Sequence, residues 1–189
     1  MSEKKELYFL GLLPPPDLAD RIHELKKEIA EKYQSSYSLK IPEHITIIPP
    51  FYCKDDNTEK VSELLKNFVK TIPDFEVQLK NFGHFNSRVI FIPALSNPTM
   101  AMEQLYYSTK KYFEDNLSFL ESLKLNNDFV SHLTIANRDL KPMYFRQAWE
   151  QYKDKEFNES FKARHLSLLR LEDGLWKRFQ EFEFSRKGQ

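Results

Sequence analysis

The chain has 189 residues, 41% of them hydrophobic and 14% aromatic, enough to bury a sizeable core as one large domain or two small lobes packed together. Lysine plus arginine and aspartate plus glutamate both total 28, and a formal net charge of zero argues against a broad electrostatic grip on long nucleic acid while leaving room to hold one anionic group locally. Cys53 is the only cysteine, which excludes an internal disulfide and a multi-cysteine metal site. No apolar run approaches the roughly 20 residues of a membrane span, and the start, MSEKKELYFLGLLPPP, has no signal-peptide cleavage pattern, so the expectation is a cytoplasmic monomer with no membrane or protein partner.

Leu7 to Leu13 is continuously apolar and stops at Pro14-Pro15-Pro16, which predicts a strand buried on both faces at the centre of a sheet. Asp17 caps a helix whose apolar residues Leu18, Ile22, Leu25, Ile29 and Tyr33 follow the 3.6-residue period. The next strand carries His44-Ile45-Thr46-Ile47 and is broken by Pro49-Pro50. Asp56 or Asn57 opens a second helix with Val61, Leu64, Leu65, Phe68 and Ile72 on one side, ending at Pro73. Phe75, Val77 and Leu79 alternate in a strand that turns through residues 81–86 into an antiparallel partner at Val89 to Ile92. Asn97-Pro98 reads as cap and first residue of a third helix carrying Met102, Leu105, Tyr106, Tyr112 and Phe113 to about Leu117. A strand with His132-Leu133-Thr134-Ile135 follows, then a helix opened by Pro142 through Phe145, Trp149 and Tyr152. Two strands, roughly Phe161 to Leu171 and Leu175 to Phe184, close the chain around an Asp173-Gly174 turn.

This order repeats. Each His-x-Thr strand is preceded by a helix and followed by a helix and two strands, as expected of a duplicated α-β-α-β-β lobe within a single domain, the lobes meeting near residues 95–98. Side chains alternate across a strand, so His44 and Thr46 share one face while Ile45 and Ile47 anchor the other, and His132 and Thr134 do the same against Leu133 and Ile135. An approximate two-fold between lobes brings the two pairs to one cleft.

Such a cleft suits displacement at phosphorus. One group must take a proton from the attacking oxygen and another must give one to the leaving oxygen, and two imidazoles with ordinary pKa near 6.5 can hold those opposite states near neutral pH. The threonine hydroxyls can donate to phosphoryl oxygens as charge develops, and no metal is required. A single histidine beside a threonine on a strand is ordinarily structural. Two such pairs arise by accident about 1% of the time on composition alone, and here both also share the apolar residues at +1 and +3.

His44-Ile45-Thr46-Ile47 and His132-Leu133-Thr134-Ile135 resemble the paired HxTx motifs of the 2H phosphoesterase superfamily, particularly its bacterial 2'-5' RNA ligase and RNA 2',3'-cyclic phosphodiesterase branch. YFLGLLPPPDLADRIHEL is similar to that branch's first strand and helix, and FGHFNSRVIFIP to its strand pair between the motifs, so the resemblance covers nearly the whole chain. It implies a bilobal α+β fold, a pseudo-two-fold duplication with antiparallel sheets flanked by helices around a central cleft, and metal-independent, cofactor-free catalysis. His44 and His132 are then the base and acid in an order left open, Thr46 and Thr134 bind the phosphoryl group, and the substrate is a nucleotide or RNA with a 2',3'-cyclic phosphate or 2'-5' linkage. Where the family commonly has HxTxAR, Asn137 intervenes here and the candidate phosphate-binding arginine is Arg138, whose direction one extra residue would reverse in a regular strand.

Two other functions stay open: a nucleotide or RNA-terminus binding module without turnover, and ligation with the same residues. Phe85 and Arg88 read as core or turn residues, with Phe85 also able to stack on a base. His84 reads as a turn histidine, and His23 and His165 as surface or structural residues.

Overall fold

The computed structural model describes residues 4–121, 125 and 127–186. Strand β1 (Lys5–Leu12) leads to α1 (Pro16–Tyr33), a 3-10 turn at Tyr37–Lys40 and β2 (Ile45–Lys54). Then come α2 (Asp55–Phe68), a 3-10 turn at Val69–Thr71, β3 (Phe75–Lys80), β4 (Gly83–Phe85) and β5 (Val89–Asn97). The remainder is α3 (Ala101–Asn116), β6 (His132–Ala136), α4 (Pro142–Tyr152), β7 (Asn158–Ala163), β8 (His165–Glu172) and β9 (Leu175–Glu183). Among the described residues no helix is long and apolar enough to cross a membrane.

The strands form one antiparallel sheet in the order β7-β3-β5-β6-β2-β1-β8-β9, with β4 paired to β5 beside that path. Its two halves meet where Ile45 of β2 pairs with Leu133 of β6. The far edges are drawn together as well. Phe184 N–H donates to the Arg164 carbonyl at 2.8 Å, Ser185 N–H to Ile72 at 2.8 Å and Asp74 N–H to Ser185 at 3.1 Å, so the end of β9 reaches the start of β3 and the sheet curls. As expected, β1 lies inside the sheet with both faces covered: Tyr8, Leu10 and Leu12 enter the main core, while Phe9 joins Leu169 and Trp176 on the other side.

The α+β pseudo-two-fold expected from the repeat is present, with the units interleaved. Strands β3 and β5 follow the first unit's second helix but lie on the β6 side, β5 next to β6 and β3 beyond it, and β8 and β9 follow the second unit's last helix but lie on the β2 side, β8 next to β1 and β9 beyond it. The helices cross in the same sense: α1 lies against β6 and α3 against β2. Each buries one stripe, Leu18, Ile22, Lys26, Ile29 and Tyr33 on α1 and Met102, Leu105, Tyr106, Thr109 and Phe113 on α3.

Four local expectations need correction. Pro49-Pro50 does not end β2: the strand runs on to Lys54, with register shifts against β1 on both sides of Leu10. Both prolines fall in the register irregularity between Phe51 and Ile48, where neither is paired with β1, and beyond the Ile45–Leu133 pairing with β6, so the missing N–H groups cost no ladder bond on either edge. Asn97 is no helix cap but the last residue of β5, held extended opposite Glu76, and α3 begins at Ala101 with Met102 N–H donating to Ser96 Oγ at 3.1 Å. The run expected from Phe161 to Leu171 is two strands interrupted at Arg164, because β7 pairs with β3 and β8 with β1 at opposite ends of the sheet. Helices α1 and α2 each start a residue or two before the expected caps, Asp17 standing in the first turn of α1 and Asp56 in that of α2. The Asp173-Gly174 turn forms as expected, with φ of 51° and 79°, the left-handed geometry that favours glycine.

A polar clasp joins α1 to α4. Glu28 accepts hydrogen bonds from Lys32 Nζ at 2.8 Å, Gln151 Nε2 at 2.6 Å and Tyr152 OH at 3.1 Å, and Tyr33 OH donates to Gln151 Oε1 at 2.6 Å. Lys32 above all, with Gln151 and Tyr152, holds the Glu28 carboxyl down to about 2. A carboxyl with a depressed folded pKa stabilises above its unfolded value, and that contribution disappears as pH falls through the folded value. Glu28→Gln should therefore cost about 1 to 2 kcal/mol at pH 7 after allowance for solvent screening, and urea unfolding should show the difference from wild type shrinking between about pH 4 and pH 2.

Candidate active site

Ile45 and Leu133 are both 0% exposed. Burying each contributes about 1.5 to 3 kcal/mol, so their side of the strand pair is fixed against the core. In an antiparallel pair this register sets His44 across from Thr134 and Thr46 across from His132, with all four side chains on the opposite face. Two residues along and one strand over puts the histidine Cα atoms about 8 Å apart. None of the four is sealed in the core; each is half-buried.

The imidazoles are held alike. His44 Nδ1–H donates to the Pro42 carbonyl at 2.7 Å, and His132 Nδ1–H to the Val130 carbonyl at 2.6 Å. A carbonyl can only accept, so in each ring Nε2 is the nitrogen left free for a substrate. Aromatic rings brace both: Phe9 stands 4.7 Å from His44 with Trp176 behind it, and Phe85 and Phe91 stand 5.0 and 5.1 Å from His132. Phe85 thus supports His132 rather than an outlying turn. Gly11 lets β1 pass closely under the site, since a Cβ there would lie 3.0 Å from the Ile45 carbonyl oxygen and 3.5 Å from His44 Cβ. Burial above all pushes His44 down to about 4, opposed by the Pro42 carbonyl and assisted by the charges of Lys26 and His132. Burial also lowers His132, opposed by the Val130 carbonyl.

A cavity of about 160 Å³ opens between the halves, and His44, Thr46, Thr134 and Arg138 all line it. His132 does not line it, standing instead against Phe85 and Phe91. Among the described residues neither threonine hydroxyl has a hydrogen-bond partner, so both donors are available. The strand-parity expectation for Arg138 does not apply: β6 ends at Ala136, Arg138 adopts φ of 50° in a turn, and its guanidinium lies over the Tyr37 ring at 4.5 Å. Next to it, Asn137 Oδ1 is buried at the cavity wall without a partner among the described residues.

Three features of the site carry no local sequence signal. Lys26 also lines the cavity, from within the apolar stripe of α1. Ser38 Oγ donates to the Ile135 carbonyl at 2.9 Å, and Asp139 accepts from Ser35 Oγ, Ser36 N–H and Tyr37 N–H at 2.8, 2.9 and 2.8 Å. Of the other histidines, His84 lies on β4 against Phe145 and Trp149, His23 bonds Glu43, and His165 begins β8 exposed. Among the described residues no group of three or more His, Cys, Asp or Glu could hold a metal ion. Asp139 is the sole anchor described for the two amides that support Tyr37, so Asp139→Ala should speed hydrogen exchange at Ser36 and Tyr37 by about tenfold or more, for a loss of 1.5 kcal/mol or so of charge-assisted bonding, with β-sheet amides unchanged.

Comparison with known proteins converges on one family. The model of the 2'-5' RNA ligase superfamily matches residues 14–175, a span holding both His-x-Thr pairs and Arg138. A putative phosphoesterase of Geobacillus kaustophilus is 28% identical over 179 residues, covering 93% of this chain and 94% of its own. Among solved structures, E. coli LigT in apo form superposes with a TM-score of 0.67 at 15% identity, covering 96% of this chain and 99% of LigT. LigT complexed with 3'-AMP gives 0.65 at 14% identity with the same coverage. At those identities the structural likeness is one of fold. With the family model spanning most of its length and the fold in agreement, the chain belongs to the 2'-5' RNA ligase superfamily, the 2H phosphoesterases.

Proposed function

We propose that the chain is a metal-independent phosphodiesterase that hydrolyses a 2',3'-cyclic phosphate or a 2'-5' phosphodiester in an RNA end or small nucleotide. The observation that carries this reading is the Ile45–Leu133 register, which gives one face two imidazoles with free Nε2 atoms and two unpartnered hydroxyls. Water attacks phosphorus and loses its proton to one Nε2; the P–O bond to the ribose breaks, and that oxygen takes a proton from the other Nε2. Thr46 and Thr134 donate to the non-bridging oxygens, and Arg138, at the cavity wall, offsets their charge. The buried, unpartnered Asn137 Oδ1 is an acceptor for a ribose hydroxyl. LigT, a fold neighbour, has been crystallised with 3'-AMP, and a ligand of that class carries both the phosphate and the hydroxyls this cleft can bind. In ligation a second hydroxyl takes the place of water: it loses its proton to one Nε2 as it attacks the cyclic phosphate, and the ribose oxygen it displaces takes a proton from the other.

Each proton transfer is typically worth about 10²- to 10⁴-fold. His44→Ala and His132→Ala should each lower kcat on a 2',3'-cyclic nucleotide by that factor in the presence of chelator, with the wild-type melting temperature retained. Thr46→Val and Thr134→Val should each cost about 10²-fold. Saturable nucleotide binding by a wild-type protein that forms no product at any pH would mean a binding module instead.

A further inference from the structure

Lysine is almost never fully buried unless its charge is repaid. Lys26 is 1% exposed, in a helix stripe otherwise made of Leu18, Ile22, Ile29 and Tyr33. A methionine would fill the same volume, so packing alone does not call for a cation there. Its contacts are specific. Lys26 Nζ donates to the Ile41 carbonyl at 2.9 Å and pairs with Glu43 Oε1 at 3.1 Å, and Glu43, itself 8% exposed, also bonds His23 Nδ1 at 3.0 Å. Ile41 and Glu43 flank Pro42, whose carbonyl fixes the His44 tautomer, so one ammonium grips both sides of the peptide that aims the imidazole. Lys26 also lines the cleft beside His44.

The following rests on the two-histidine reading above. We infer that Lys26 is a positioning residue that clamps segment 41–44 and keeps a fixed positive charge beside His44, so that His44 enters the reaction unprotonated as the base and His132 is the acid. The charged groups around His44 are Lys26 and, beyond it, His23 from α1, Glu43 from the preceding segment, His132 from β6, and Arg138 at the cleft wall. Glu43 alone favours an imidazolium, but it is already shared between Lys26 and His23, and the repulsion from Lys26 outweighs it. Among the described residues the influences on His132 are burial and the Val130 carbonyl, with no cation among them. A bound phosphoryl anion favours protonation of both rings, and Lys26 then decides which one stays neutral.

The test has two arms. Imidazole NMR titration, which needs no substrate, should show the His44 midpoint rising by about one pH unit in Lys26→Met, with His132 unmoved and Lys26→Arg close to wild type. Lys26→Met/Glu43→Gln, which leaves no lone buried carboxylate, should also rise and guards against a single variant that fails to fold. In the second arm, a p-nitrophenyl phosphodiester, whose leaving group departs without a proton, should restore turnover to His132→Ala and not to His44→Ala. An unmoved His44 midpoint, or rescue of His44→Ala instead, overturns the inference. A wild type that turns over neither ester overturns the hydrolase reading itself, and the His44 titration tells the two failures apart.

Discussion

The Ile45–Leu133 pairing is the constraint on which the site depends. Among the described residues it is the one ladder pairing between the halves of the sheet, and both side chains are fully buried on the core side. Because strands alternate with period two, a slip of one residue would turn His44 and Thr46 into the core and bring Ile45 into the cleft. Such a slip would expose two large aliphatic groups, Ile45 and Ile47, and bury two polar ones, His44 and Thr46, a cost of several kcal/mol. The apolar residues between the catalytic candidates therefore specify the site as firmly as the histidines do.

The interleaving of the two units explains how one short contact can hold an accurate geometry. Each histidine strand is backed on its outer side by a different chain segment, β1 for His44 and β5 for His132, and each of those strands supplies an aromatic ring, Phe9 or Phe91, against the imidazole. Helices α1 and α3 cross to the opposite unit's strand. Neither half can move without dragging packed elements from the other, and the curl closed by Phe184, Ser185 and Asp74 ties the outer edges too.

The parts that were legible in the sequence are those set by local period. Alternation assigned Ile45, Ile47, Leu133 and Ile135 to the core and the His-Thr pairs to the other face, and the helical stripes of α1, α3 and α4 follow directly from spacing. What escaped was set by distant partners. Prolines inside β2 are tolerable because β6 has already diverged and the register with β1 is irregular there, and the split at Arg164 depends on two strands that local pattern cannot name. Strand parity does not reach Arg138, because the strand ends two residues earlier and a left-handed turn sets its direction. Nothing in the local pattern sets Lys26 apart from the other helix lysines, because its polar partners, Ile41 and Glu43, lie fifteen and seventeen residues on.

That buried lysine also bears on why a near-symmetric site can perform asymmetric chemistry. Duplication yields two imidazoles with the same i−2 carbonyl bond, the same free nitrogen and similar aromatic support, and two identical rings would share the base and acid roles equally. Hydrolysis gains from a fixed division, since only one of the two protonation arrangements is productive for a given direction of attack. The asymmetry comes from outside the repeat's strands: α1 carries a cation to the wall of the His44 side, while among the described residues the His132 side meets apolar rings, a carbonyl and the Thr46 hydroxyl across the strand pair. A single charge beside one half-buried ring shifts its proton affinity more than the same charge would at the surface. The desolvation cost of Lys26, partly offset by Glu43, is thus located where it can bias the equilibrium between two otherwise matched groups.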